Sequence, residues 1–104
     1  MNNHKVKCSN FEISNNNPFT LIAGPCQLES EAHAIKISTA LKKITKELGI
    51  NFIYKTSFDK ANRTSIKGKR GAGIDKSLPV FDKIKKELNV PILTDIHNEE
   101  QCAI

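Results

Sequence analysis

Three short runs hold the side chains that could do chemistry. They are Gly24-Pro25-Cys26-Gln27-Leu28-Glu29-Ser30, then Lys55-Thr56-Ser57-Phe58-Asp59-Lys60-Ala61-Asn62-Arg63-Thr64, then Thr94-Asp95-Ile96-His97. Together they offer a thiol, two lysines, an arginine, an aspartate and a histidine. Lysine supplies a point charge and arginine a planar bidentate fork, both suited to phosphate. The polar stretch from Ser57 to about Gly73 is long for a loop inside an α/β unit, and such loops are often functional. By themselves these residues point to a binder of a small phosphorylated anion.

Each has a plainer explanation. A free cysteine is usually a small packed hydrophobe, although Cys26 follows Gly24-Pro25 in a loop and has no apolar face around it. His97 alone reads better as a structural or helix-entry histidine than as a ligand. Lys60, Arg63, Lys67, Lys69 and Arg70 could form a solvated face. Gly68, Gly71 and Gly73 could serve only to turn the chain, since their order fits neither a P-loop nor a dinucleotide fingerprint.

The elements that must position these runs follow from periodicity. Residues 4–8 and 11–13 alternate weakly around Ser9-Asn10 and predict a hairpin, closed by a turn at Asn15-Asn16-Asn17-Pro18. Phe19–Ala23 predicts a buried strand. Ser30 is placed to cap a helix with Glu31 in its first turn. That helix carries apolar residues at Ala34, Ile37, Leu41, Ile44 and Leu48, and Gly49 stands at its end. Phe52-Ile53-Tyr54 predicts a second strand. A second helix is expected with Leu78, Phe81, Ile84 and Leu88 inward. Ser77 is its expected cap, because Pro79 fits best in a first turn. Pro91–Thr94 predicts a third strand, and Asn98-Glu99-Glu100-Gln101 the start of another helix.

Strands joined through helices run parallel with right-handed crossovers. The expected fold is therefore α/β, either a doubly wound sheet or part of a (β/α)8 barrel. In both, functional groups gather beyond the carboxyl ends of the strands, where all three runs fall. A barrel takes ~250 residues, and this chain has 104. Residues 1–18 would be the hairpin and turn, and 19–104 the first three barrel strands with two helices, as one partial domain. Three parallel strands alone leave two unpaired edges, so a longer parent protein is expected.

Composition narrows the partners. Net charge is +5, with 38% hydrophobic and 6% aromatic residues and no Trp. Basic character admits nucleic acid, acidic membranes or phosphorylated metabolites. No aromatic residue interleaves with the basic ones as a stacking platform, so no nucleic acid partner is expected. Cys8, Cys26 and Cys102 form no paired framework, which suits a reducing compartment. Neither a signal peptide nor an apolar run of membrane-spanning length is present. A cytoplasmic, soluble protein with no membrane partner is expected.

The first two runs, read from Ala23 and to Ser65, resemble the first two signature loops of 3-deoxy-D-manno-octulosonate-8-phosphate synthases, and Thr94-Asp95-Ile96-His97 resembles the third. The similarity covers essentially the whole chain and roughly the first two-fifths of a barrel of typical size. The related heptulosonate-phosphate synthases share Gly-Pro-Cys but typically carry Lys-Pro-Arg-Thr where this chain has Lys60-Ala61-Asn62-Arg63. The Asn-Arg pair points to the octulosonate enzyme and leaves the heptulosonate enzyme as the alternative.

The resemblance implies a transferase of lipopolysaccharide precursor synthesis. It would condense phosphoenolpyruvate with D-arabinose 5-phosphate and water to 3-deoxy-D-manno-octulosonate 8-phosphate, releasing phosphate. Lys55 and Lys60 would hold phosphoenolpyruvate, with Lys60 and Asp95 as catalytic residues and Asp95 near the sugar aldehyde. Asn62, Arg63 and Thr64 would grip the pentose phosphate, Thr64 standing where serine is usual. Cysteine at position 26 marks the metal-dependent form of the family. Its thiolate suits zinc or iron and not magnesium, with a histidine, a glutamate and an aspartate from later strands completing the set. A homotetramer is implied as well. The 104-residue chain alone is expected to be inactive. The competing readings are a small basic binding module and a non-catalytic fragment.

Overall fold

A computed structural model describes residues 3–59 and 73–104. The order of elements is β1 (Val6–Cys8), β2 (Phe11–Ile13), β3 (Thr20–Ala23), α1 (Glu31–Leu48), β4 (Asn51–Lys55), α2 (Ile74–Leu88) and β5 (Ile92–Leu93), followed by a 3-10 turn at Glu99–Ala103. This is a mixed α/β arrangement with two sheets and two helices. β1 and β2 form an antiparallel hairpin with Val6 opposite Ile13 and Cys8 opposite Phe11. Ser9, in the two-residue turn, takes φ 53°, the sign that matches the twist of the flanking strands.

β3, β4 and β5 form a parallel sheet in that order. Leu21 pairs with Phe52, and Ala23 with Tyr54, which also lies opposite Ile92. These residues share one face of the sheet, because side chains alternate along a strand. Phe52 and Tyr54 pack with Ala34 of α1 and with Val80 and Ile84 of α2. Both helices therefore cover the same face, and the sheet advances in one direction. The alternation turns Ile22 and Leu93 to the opposite face, where they are 52% and 43% exposed.

α1 begins and ends where its sequence says it should. The Ser30 hydroxyl accepts from the His33 N–H at 3.1 Å, satisfying one of the four amides a helix start leaves open. Gly49 closes the helix at φ 69°, with its N–H on Lys46 O and the Ile50 N–H on Thr45 O, a Schellman arrangement. The buried face differs from the expected stripe. Ala34 is fully buried, whereas Ile44 and Leu48 are 50% and 68% exposed. Ser38 and Thr45 are buried instead. Their hydroxyls donate to the carbonyls of Ile35 and Leu41 in the preceding turn, which removes the cost of burying them.

The second helix corrects an expectation. Ser77 is not its cap: α2 starts at Ile74 with Gly73 in the cap position, and Pro79 lies inside it. Pro79 lacks the N–H that would pair with the Asp75 carbonyl. Asp75 and Pro79 are both exposed, so water can serve that carbonyl. Ser77 is buried and donates its hydroxyl to Gly73 O at 2.6 Å, holding the first turn from within. Asn89 ends α2 in the left-handed region at φ 53°. β5 is shorter than expected, keeping only Ile92 and Leu93.

Candidate functional site

The carboxyl ends of the three parallel strands are stitched together by backbone before any side chain is considered. Gly24 lets β3 approach β4 closely: a Cβ at this position would lie 1.9 Å from Lys55 O. The Leu28 N–H donates to Ser57 O at 2.8 Å, and Gln27 and Ser57 form a parallel bridge. The Thr56 hydroxyl donates to Pro25 O at 2.8 Å, and the Thr56 N–H reaches Leu93 O at 3.3 Å. Pairing thus continues beyond the strands proper, on the rim where the chemistry is expected.

On this frame sit Cys26, Lys55 and Asp95. Cys26 is exposed in the loop after β3 and is no packed core residue. Lys55 is the last residue of β4, and its ammonium donates to the Ser57 hydroxyl at 3.3 Å. Asp95 follows β5. Burial works against its carboxylate, but hydrogen bonds from the Ser57 hydroxyl and its own backbone N–H, with the nearby charge of Lys55 and His97, hold the carboxyl below its usual range. Asp95 Oδ1 is buried and has no hydrogen-bond partner. It is an acceptor of charge −1 aimed at nothing the described residues provide.

His97 serves as a strut. Its Nε2 lies 2.8 Å from Asp59 O, its N–H donates to the Gln101 side chain at 2.7 Å, and its ring packs 5.4 Å from that of Phe58. It ties the segment after β5 to the segment after β4. Lys60, Asn62, Arg63 and Thr64 lie outside the described residues. Among the described residues no three His, Cys, Asp or Glu side chains come together as a metal site, so Cys26 stands there as a single potential ligand.

Sequence reasoning passed over Ser57 and Thr56. Both are fully buried and join the ends of all three strands. The available signal was two hydroxyl residues directly after the last residue of a strand, where a buried hydroxyl must find a partner on the next strand.

A model of the DAHP synthetase I family matches residues 3–104. The chain belongs to that family. Among curated relatives, the 2-dehydro-3-deoxyphosphooctonate aldolase of Mesorhizobium japonicum is 56% identical over 102 residues, 98% of this chain and 37% of that protein. The proteins of the same name from Chelativorans sp. and Brucella anthropi are 54% and 55% identical over 98% and 97% of this chain. The chain spans about 37% of the length of the relatives it matches. The resemblance seen in the three strand-end runs thus extends along nearly the whole chain. Among the described residues, no helix is long and apolar enough to cross a membrane.

Proposed function

We propose that these residues form the first part of a (β/α)8 barrel that condenses phosphoenolpyruvate with D-arabinose 5-phosphate and water to give 3-deoxy-D-manno-octulosonate 8-phosphate and phosphate. The observation that carries this reading is the meeting of Lys55, Ser57 and Asp95 on the rim of a chain about 55% identical to proteins named for that product. The barrel is supported by the family match over residues 3–104, with which three parallel strands advancing in one direction and both helices on one face agree.

The task of the site is to hold two polyanions that repel each other and to stabilise charge as the bond forms. Lys55 offers an ammonium to phosphoenolpyruvate, joined by Lys60. Asn62, Arg63 and Thr64 take the pentose phosphate. Asp95, ionised at neutral pH, lies by the aldehyde end of the sugar. Cys26 is exposed, unpaired and at the strand end, so it fits as one soft ligand of a zinc or iron centre completed by later strands. When bound, such an ion would polarise a substrate oxygen as a Lewis acid. The 104 residues alone would be inactive. The whole protein is proposed as a cytoplasmic homotetramer of lipopolysaccharide precursor synthesis, with small phosphorylated substrates and no nucleic acid or membrane partner.

The test is phosphate release by the barrel-length protein with phosphoenolpyruvate and either sugar phosphate. An eight-carbon product needs a five-carbon sugar, and a seven-carbon product a four-carbon one. Turnover is expected with arabinose 5-phosphate; turnover confined to the four-carbon sugar phosphate would transfer the site to the heptulosonate reaction. Exhaustive chelation should abolish activity and a divalent transition metal restore it. Cys26→Ala should lose bound metal and activity together. Full activity without metal would remove Cys26 from the site.

A further inference from the structure

Ser57 has no substrate role in the proposed function, yet with Thr56 it touches the ends of β3, β4 and β5 at once, and its hydroxyl meets the charged side chains there. Its side chain is fully buried. Its carbonyl accepts from the Leu28 N–H at 2.8 Å, on the segment that carries Cys26. Its hydroxyl oxygen accepts from the Lys55 ammonium at 3.3 Å. A hydroxyl has one proton to donate and lone pairs to accept with, so one that receives from Lys55 can still donate, and the Asp95 carboxylate is a group it favours. We propose that Ser57 is a positioning residue, whose hydroxyl holds the Lys55 ammonium and the Asp95 carboxylate in one arrangement across the ends of β4 and β5.

The chemistry favours this role over simple packing. Lys55 and Asp95 would otherwise be free to close on each other as an ion pair. An ammonium neutralised that way is a poorer grip for an anionic substrate. A neutral hydroxyl between them keeps both charges and both positions. Asp95 Oδ1 is buried and without a partner among the described residues. Among the described residues, the charged groups acting on Asp95 are Lys55 from β4 and His97 from its own segment.

This inference rests on the proposed condensation, and its test separates the two. In the barrel-length protein, Ser57→Ala is expected to lower kcat/KM by roughly tenfold to a hundredfold, the range for losing a hydrogen bond to a charged group. The acid limb of the pH profile should move to higher pH, because Asp95 loses a bond that favours its ionised form. Carboxyl carbon NMR of Asp95 without substrate should show the same upward move. Ser57→Cys, of similar size, is expected to recover part of the rate. Thr45→Ala removes an equally buried hydroxyl on α1, far from the rim, and should leave the acid limb in place. A folded Ser57→Ala protein with unchanged rate and unchanged Asp95 titration would overturn the assignment. If the wild type fails to condense the two substrates while the Asp95 titration still moves, the reaction reading falls and the positioning role stands.

Discussion

At the carboxyl ends of β3, β4 and β5 the polar side chains are turned on one another, whereas at the amino ends they are turned on helix termini. The amino-end cavity, about 240 Å³, is lined by Asn10 and Phe11 of the hairpin, Lys42 and Lys46 of α1, and Asn51 and Asn89. Lys42 reaches across to donate to Leu88 O at the end of α2, where open carbonyls and the negative end of the helix dipole both welcome a cation. Lys42 already has structural work there. On the rim, among the described residues, the Lys55 ammonium meets a neutral hydroxyl and Asp95 keeps an oxygen without a partner. Lysine count therefore says little about where an anion binds. What matters is whether the backbone nearby already claims the charge.

The comparison breaks most sharply at Gly24. Gly24→Ala would drive a methyl group into the Lys55 carbonyl, and since that atom is backbone, β3 and β4 must separate. The expected cost is about 3 kcal/mol or more in urea unfolding of the barrel-length protein. Activity should fall beyond what lost stability explains, because Lys55, Ser57 and Asp95 are held by that frame. A fully active, equally stable Gly24→Ala protein would mean that the close approach does not position the rim.

Much of this frame was legible in the chain. Ser30 and Gly49 mark the ends of α1 because a helix start needs a side-chain acceptor and its end a left-handed residue, and these residue types advertise both. The rim runs were legible from strand order alone. Three features were not. Ser77 looks like a cap, but a buried serine inside a helix can return its proton to the preceding turn, and Pro79 then sits on an exposed side. Ser38 and Thr45 displace Ile44 and Leu48 from the buried face of α1 for the same reason. Ser57 joins groups far apart in sequence, Leu28 through its carbonyl and Asp95 through its hydroxyl, and only the sheet register brings them together.

Tyr54 sharpens the comparison from the middle of the same strand. It is fully buried, its hydroxyl has no partner among the described residues, and burial pushes its phenol up to about 12. A group with a raised folded pKa stabilises below its unfolded value, near 10 for tyrosine, and loses that contribution as pH rises toward 12. Between those values the unfolded chain binds fewer protons, so stability should fall by about 2–3 kcal/mol. Tyr54→Phe should remove that alkaline loss and add about 1 kcal/mol at neutral pH, since an unsatisfied buried hydroxyl is deleted. Denaturant midpoints at pH 8 and pH 11 for both proteins capture about half of the alkaline loss, roughly 1.4 kcal/mol. An alkaline loss retained in full by Tyr54→Phe would assign it to another group.

The smallest expected effect lies at the amino end. Lys42→Met keeps the aliphatic stem against α2 but deletes the hydrogen bond and charge at the Leu88 carbonyl. The combined loss should be about 1 kcal/mol, part from the hydrogen bond and part from the helix dipole. The dipole share should shrink at high salt, which screens it. Steady-state rates with both substrates should stay at wild type, because Lys42 is separated from Lys55 and Asp95 by the length of the sheet. Urea midpoints at low and high salt, beside the kinetics, give both readouts. A fall in kcat/KM with stability intact would show the amino-end lysines acting on substrate, and the division of labour between the two strand ends would have to be redrawn.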